Sequence, residues 1–299
     1  MHVGLATGFA HQRGDTYDDA RFLREEIDNL VLAEELGFDS VWITEHHFSD
    51  YSMSNDPVQL LTYVAAKTRH VKLGTQCIIV PWHHPVRLAE RIVNLDILSN
   101  GRAILGFGGG LSQHEFAGLG IDMSDSRQMY NDLLEVLIPA LETGVIEGKG
   151  IYAHIPRSEL RPRPIKSFEG RKFCGSLSGN SMYTAARLGC GNMILMLPQR
   201  GKDAGPDKYA AVWEEVNGPG TRPPPPMLGG NYYIDDSAER LKRAITEMKD
   251  DSGAIVLLIK RGDRYVEAPI GYHGGLRYPW IEPVGEEEQP LDRLLAPRT

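Results

Sequence analysis

Apolar residues in this chain come in two kinds of run. The first kind is short, continuous and bounded by glycine or polar clusters, as in Asp39-Ser40-Val41-Trp42-Ile43 after Gly37. Such runs read as strands buried on both faces. Further examples are Val3 to Thr7, Val71 to Ile79, Arg102 to Phe107, Arg171 to Ser176, Asn192 to Leu197, Met227 to Tyr233 and Ala254 to Ile259, which makes eight. The second kind has helical spacing and lies between the strands: Ala20 to Leu36, Pro57 to Thr68, Val86 to Leu98, Ser126 to Glu142, Ser181 to Leu188, Pro206 to Val216 and Ser237 to Lys249. Gly37 supplies the stop that turns the first helix into the next strand. Strand and helix alternating in this way predict a parallel α/β fold, and eight strands predict a closed (β/α)8 TIM barrel. A doubly wound open sheet is the fallback. The barrel is expected to occupy residues 1–262 as a single domain. Residues 263–299, rich in Gly, Pro and charge, are expected to form an irregular C-terminal extension, packed on the barrel or partly disordered, with order favoured for Tyr265 to Ile281.

Composition narrows the partners. The 299 residues carry a net charge of -8 with both signs interspersed and no basic stripe, which argues against nucleic acid and anionic membranes. The apolar runs are too short to cross a bilayer, and the chain opens on a strand rather than a leader pattern, so a cytoplasmic location is the default expectation. Cys77, Cys174 and Cys190 are odd in number and lack ligand spacing, so reduced core thiols are expected.

In a barrel of this kind chemistry sits at the C-terminal strand ends. Here those ends are Thr7-Gly8-Phe9, Glu45-His46-His47, Gln76-Cys77, Phe107-Gly108-Gly109-Gly110, Ser176-Leu177-Ser178 and Met196. Small residues, amides, hydroxyls and imidazoles of this kind suit a flat, neutral aromatic ligand better than a metal. His46 could act as a general base, oriented by Glu45 or a neighbour; the bland alternative is two loop histidines satisfied by carbonyls. A metal held by His46, His47, His83 and His84 has no HExxH pattern behind it. The segment Gly175-Ser176-Leu177-Ser178-Gly179-Asn180-Ser181 runs from a strand into a helix, where N–H groups and the hydroxyls of Ser178 and Ser181 could hold a phosphate or could simply cap the helix. Gly106-Phe107-Gly108-Gly109-Gly110 lacks a full nucleotide fingerprint; its glycines would let a planar ring approach the backbone, unless the stretch is a plain loop.

Several linked stretches carry a resemblance. Leu36 to Phe48, Leu73 to Pro81, His84 to Glu90, Ser99 to Leu111 and Asp122 to Arg127, in that order, resemble the bacterial luciferase-like flavin-dependent monooxygenases. The likeness is good over the first half, weaker at Ser178 to Ser181 and Ala185 to Arg187, and poor after about residue 235. It implies a barrel that binds reduced FMN supplied by a separate flavin reductase, and that uses O2 to form a flavin C4a-hydroperoxide that oxygenates an organic substrate. By the same resemblance His46 is the catalytic histidine, with His47 beside it. The flavin ring would rest near Thr75, Gln76 and Cys77, where a cis peptide is expected between Gln76 and Cys77, and against Gly108 and Gly109. The phosphate would lie at Ser176, Ser178, Gly179 and Ser181. A homodimer is implied as well.

The chain also departs from luciferase. Gly108 and Gly109 stand in place of a cysteine and a phosphate-binding arginine, and Leu177 in place of a phosphate-site glutamate. The flavin is then expected either to bind loosely or to be held by another cation, for which Arg127 and Arg187 are candidates. Luciferase's long insertion before the seventh helix is missing, so Ala153 to Phe168 and Pro198 to Pro226 are the expected covers of the barrel mouth. Phe9, Trp42, Phe48, Trp82 and Phe107 could line a pocket for a hydrophobic substrate or could be packing. A deazaflavin (F420)-dependent oxidoreductase and a non-catalytic flavin-binding protein are the alternative functions.

Overall fold

The computed structural model describes residues 2–9, 18–49, 52–175, 179–194 and 205–229, together with the backbone of 255–261 and 264–270. The chain divides into two compact units, residues 1–193 with 202–227, and residues 194–201 with 228–299.

The first unit is the α/β body. Strands β1 (Gly4–Thr7), β2 (Ser40–Ile43), β3 (Lys72–Thr75), β5 (Ala103–Gly108), β8 (Lys172–Gly175) and β9 (Gly191–Ile194) stand side by side in chain order, and each neighbouring pair is parallel. The two-residue strand β4 (Ile78–Ile79) pairs with the end of β5, matching Ile78 to Phe107 and Ile79 to Gly108. Consecutive parallel neighbours joined by helices are the open arc of a barrel wall. The expected strand at Val71 to Ile79 is therefore broken in two, at the non-proline cis peptide between Gln76 and Cys77.

Helices α1 (Asp19–Glu35), α2 (Pro57–Lys67), α3 (Pro85–Leu98), α5 (Ser126–Thr143), α6 (Asn180–Arg187) and α7 (Pro206–Asn217) lie where the spacing predicts them. Their starts follow capping chemistry. Asp18 accepts the Ala20 N–H, Asp56 accepts the Gln59 N–H ahead of Pro57, and Pro85 opens α3. Helix α5 ends on Gly144 in the left-handed region. Its apolar stripe, Leu133, Leu134, Leu137 and Leu141, is buried in the common core with Leu61 and Ile92. Each such side chain contributes roughly 1.5–3 kcal/mol relative to exposure.

Trp42 shows how tightly the strand register is set. It is paired with Ala6 on β1 and Gly74 on β3. A Cβ on Gly74 would stand 2.1 Å from its ring, and one on Gly4 2.5 Å from its indole nitrogen. The two glycines make room for one large ring, whose N–H donates to Ser40 Oγ at 2.7 Å.

Some elements differ from expectation. A short helix α4 (Gln113–Gly118) and a hairpin of β6 (Val145–Lys149) with β7 (His154–Glu159) were not anticipated. The hairpin corrects one reading. Residues 153–168 follow helix α5 and lead into the start of β8, so they lie at the N-terminal end of the sheet and cannot cover its mouth. Consistently, Ser167 Oγ bonds Glu142 at the end of α5, and Lys166 sits where a Cβ on Gly101 would be, just before β5. In βα alternation a helix-to-strand connection always falls on that side.

In the second unit the expected strand at Ala254 to Ile259 is present as β11 (Ile255–Arg261). Its described partner is β12 (Arg264–Ile270), antiparallel, with Arg261 opposite Arg264. The intervening Gly-Asp is a two-residue hairpin signal that the parallel reading passed over. The expected strand at 227–233 is described only as β10 (Met227–Leu228). The helix expected at 237–249, Met196, residues 198–204 of the second cover segment and the tail from 271 lie outside the described residues.

Candidate active site

All parallel strands point their C-terminal ends to one rim, and the chemistry gathers there. Strand β2 ends at Ile43 and delivers Thr44 to His47 directly onto it. Thr44 Oγ1 lies 3.2 Å from Ser52 Oγ and 3.0 Å from Ser54 Oγ, and Ser52 reaches back to the Gly8 carbonyl. This hydroxyl cluster ties the ends of β1 and β2, and the Ser54 carbonyl accepts the His46 N–H at 3.1 Å.

Two buried carboxylates then organise the imidazoles. Glu115, on α4 after β5, accepts from His46 Nδ1 at 3.1 Å and from the His47 backbone N–H at 2.6 Å with the same oxygen, Oε1. Donation from Nδ1 fixes the tautomer in which His46 Nε2 carries the lone pair, as a general base requires. The ring is 32% exposed, so it opens to the mouth. Glu45 does not contact His46. It is fully buried and accepts from the Ile79 N–H at 2.7 Å through Oε2, and through Oε1 from His83 Nε2 at 2.7 Å and His47 Nε2 at 3.5 Å. Burial alone would raise its pKa, but hydrogen bonds from His47, His83 and Ile79 outweigh that and hold the carboxyl below its ordinary value. The carboxylate that orients His46 is therefore Glu115, which the sequence reading did not single out. A local signal was present: Ser112-x-x-Glu115 is a capping box, and Ser112 Oγ does accept the Glu115 N–H at 3.4 Å. The glutamate side chain has been redirected to the histidines.

Aromatic rings close around His47. Trp82 meets it edge-on at 5.2 Å between centroids, Phe116 backs Trp82 at 5.5 Å, and Phe48, at positive φ and exposed, tilts against it at 5.6 Å. Of the five aromatics considered for a substrate pocket, Phe48 and Trp82 flank the histidines. Phe9, Trp42 and Phe107 are core.

The expected flavin seat lies alongside. Thr75 is buried, and its hydroxyl bonds both the carbonyl and the N–H of Gly106, at 3.0 and 2.8 Å, which locks β3 to β5. Gln76 donates its backbone N–H to the Ile43 carbonyl at 2.8 Å, while its buried Oε1 and the buried Nε1 of Trp82 have no partner among the described residues. Burial pushes the Cys77 thiol up to about 12, so it is an inert thiol packed 3.5 Å from Met193 Sδ. Cys77, Cys174 and Cys190 are all free and buried, as reduced core thiols should be. A Cβ on Gly108 would come within 3.1 Å of Ile79 and 3.2 Å of Cys77, and one on Gly175 within 2.8 Å of the Cys77 sulfur. The ends of β3, β4, β5 and β8 thus pack closely, with the side chains of Cys77 and Ile79 filling the room that Gly108 and Gly175 leave.

At the far end of this floor, Gly179 at φ +51° caps α6, and Ser181 is buried one position inside it. Arg127 Nη1 lies 3.7 Å from where a Cβ on Gly179 would stand. Arg187 sits in the last turn of α6 and pairs with Glu135 at 2.6 Å. The structure thereby ranks the two candidate cations: Arg127 is at the helix start, Arg187 at its end. Ser176, Leu177 and Ser178 lie outside the described residues. Among the described residues, no group of three His, Cys, Asp or Glu side chains is placed to hold a metal ion, and no helix is long and apolar enough to cross a membrane.

With this geometry in view, residues 1–271 match the family profile described as luciferase-like monooxygenase. The chain belongs to the luciferase-like monooxygenase family. It is 24% identical over 311 aligned positions to the flavin-dependent trigonelline monooxygenase, oxygenase component, of Acinetobacter baylyi, covering 96% of this chain and 84% of that protein. Other matches are partial: the segments aligned to further curated relatives span 51%, 36% and 52% of those proteins. Among solved structures, the oxygenating constituent of 3,6-diketocamphane monooxygenase from Pseudomonas putida, in complex with FMN, superposes with a TM-score of 0.62 at 20% identity, over 83% of this chain and 71% of that one. An F420-dependent secondary alcohol dehydrogenase superposes at 0.64 and 17%, over 84% and 75%. These two establish the fold, the TIM-barrel class that the strand count predicts.

Proposed function

We propose that the chain is the oxygenase of a two-component flavin-dependent monooxygenase, taking reduced FMN from a separate reductase and acting on a hydrophobic organic substrate. One observation carries this reading: His46, held by Glu115 in the tautomer of a base, opens onto the same rim as the glycine-bearing ends of β5 and β8 and the arginine-flanked start of α6. The residues fit FMN. Gly109 leaves the backbone at the end of β5 without a side chain where a planar ring would approach, and Gly108 lets Cys77 and Ile79 pack beneath it. Gln76 Oε1 and Trp82 Nε1 are an acceptor and a donor beside the ring that lack partners among the described residues. The start of α6 with Gly179, Ser181, and Ser176 and Ser178 from sequence, offers N–H and hydroxyl donors to a phosphate. Arg127 supplies the charge that luciferase takes from an arginine at the position of Gly109.

When bound, reduced FMN supplies the electrons that activate O2 for transfer of one oxygen atom to the substrate. The chain's own residues bind, shield and move protons. His46 Nε2 takes or returns a proton at the mouth, and Glu115 stabilises the imidazolium while it carries that proton. Trp82, Phe48 and Phe116 exclude water from this edge and present an apolar wall to the substrate. A homodimer and a cytoplasmic location complete the reading.

The test is oxygen-18 incorporation. Protein supplied with reduced FMN, labelled O2 and a panel of carbonyl compounds and electron-rich aromatics should place label in an organic product; hydrogen peroxide alone across the panel would contradict the proposal. The F420-dependent solved structure favours a second reading, deazaflavin-dependent hydride transfer. Titration with both cofactors separates them, since only that reading requires tighter binding of F420 than of FMN.

A further inference from the structure

Glu45 and His83 are not required by the acid–base role given to His46, yet they form a short contact on the rim that takes in a fully buried carboxylate. The Glu45 carboxylate is fully buried and grips the next segment at two points four residues apart, the Ile79 N–H and the His83 ring, each at 2.7 Å. Between those points lies the 3-10 turn Val80–Trp82, closed by the His83 N–H bonding the Val80 carbonyl at 3.1 Å. Ile79 follows the Gln76-Cys77 peptide by two residues, and Trp82 packs on His47. The His47 ring is the third and weakest donor to Glu45, at 3.5 Å, on the oxygen that His83 already occupies.

We propose that Glu45 and His83 are a positioning pair: His83 fixes the buried carboxylate, which in turn sets the Gln76–Ile79 segment and the His47 ring relative to each other. A buried carboxylate without adequate donors is costly, so it must keep the partners that remain or take up a proton. Once His83 is removed, the remaining side-chain donor within reach is His47. The imidazole of His47 is then drawn onto Glu45, away from its packing on Trp82, and Ile79 loses its fixed anchor. The consequence for cofactor binding rests on the flavin reading above, because the 76–79 segment is the seat assigned to the ring; the consequence for His47 does not.

The experiment uses the full chain labelled with nitrogen-15 histidine, and compares wild type with His83→Ala and His83→Gln. The glutamine amide can donate to the same oxygen. Folding is checked by circular dichroism and melting temperature. In the ligand-free protein, His83→Ala should move the ring nitrogen signals of His47 and their pH titration, and His83→Gln should leave them as in wild type. FMN affinity should fall about 10-fold in His83→Ala and stay within roughly 3-fold in His83→Gln, as expected for a group acting only by position. His83→Leu keeps bulk without a donor, and the same comparison is read from it if the alanine variant does not fold. Wild-type His47 signals in a variant lacking the donor, or a glutamine variant that behaves like it at equal stability, would overturn the proposal. If the His47 signals respond as stated while wild type binds no FMN, the flavin reading fails and the positioning pair stands.

Discussion

The two rims of the parallel sheet use buried charge in opposite ways. At the N-terminal rim, charged side chains end on backbone atoms. Glu34 accepts the N–H groups of Arg69, His70 and Val71. Arg102 is buried and donates to the carbonyls of Ser99, Val71, Ala65 and Thr68. Arg171 bonds Asp96 and the Ala103 carbonyl before β8 begins. Backbone amides and carbonyls do not titrate, so these contacts, together with the Arg171–Asp96 ion pair, hold strands and helices in place. At the C-terminal rim Glu45 and Glu115 end on imidazoles, which exchange protons near neutral pH. Glu45 and Glu115 accept backbone amides as Glu34 does, from Ile79 and His47, and differ from it in also holding imidazole rings.

The largest effect should come from the C-terminal rim. His46→Ala should lower product formation by about 10²–10⁴-fold, the usual contribution of a general acid–base, with melting temperature nearly unchanged. Its counterpart is Arg102→Ala, which leaves several buried carbonyls unpaired. It should cost on the order of 3 kcal/mol in denaturant unfolding while activity per folded molecule stays at the wild-type level. If Arg102→Ala instead abolished activity in the folded protein, the division between rims would be wrong.

Smaller effects sharpen the contrast. Glu115→Gln should reduce turnover by about 10–100-fold and distort its pH dependence, because the amide can hold His46 but cannot stabilise its charged form. Arg127→Ala should weaken FMN binding by roughly 10-fold and leave riboflavin, which has no phosphate, unaffected in the same titration. The mildest effect is on pH. Burial acts to raise the Glu34 pKa, but hydrogen bonds from the Val71, His70 and Arg69 amides outweigh it and leave the carboxyl below its ordinary value. A group depressed on folding stabilises the protein above its unfolded pKa and loses that contribution as pH falls through the folded value. Glu34→Gln should therefore flatten the acid side of the stability curve below about pH 4.5, as read by denaturant midpoints across pH.

Much of the fold could be read in the sequence because period and punctuation agreed. Gly37 and the run ending at Ile43 place His46 and His47 at a strand end, and this is where they stand. The Gln76-Cys77 peptide expected from the family resemblance is cis. What escaped was long-range. Glu115 lies 69 residues from His46, and only folding reveals that its side chain leaves the capping box. In sequence His83 reads alike as a metal ligand or as a carboxylate's partner; its contact with Glu45, 38 residues back, appears only in the fold. Residues 153–168 looked like a cover because they are long and proline-rich, but they join a helix to a strand and so belong at the other rim.

The central claim, that the histidine rim steers oxygen into an organic product, is tested most directly by single-turnover coupling. Reduced FMN bound to the protein is mixed with O2 and substrate, and the product formed per flavin oxidised is measured for wild type and His46→Ala across pH. Wild type should convert a large share of the flavin oxidised into product, with a pH dependence that His46→Ala lacks, while His46→Ala oxidises the flavin and releases hydrogen peroxide. Equal coupling in the two proteins at every pH would contradict the account.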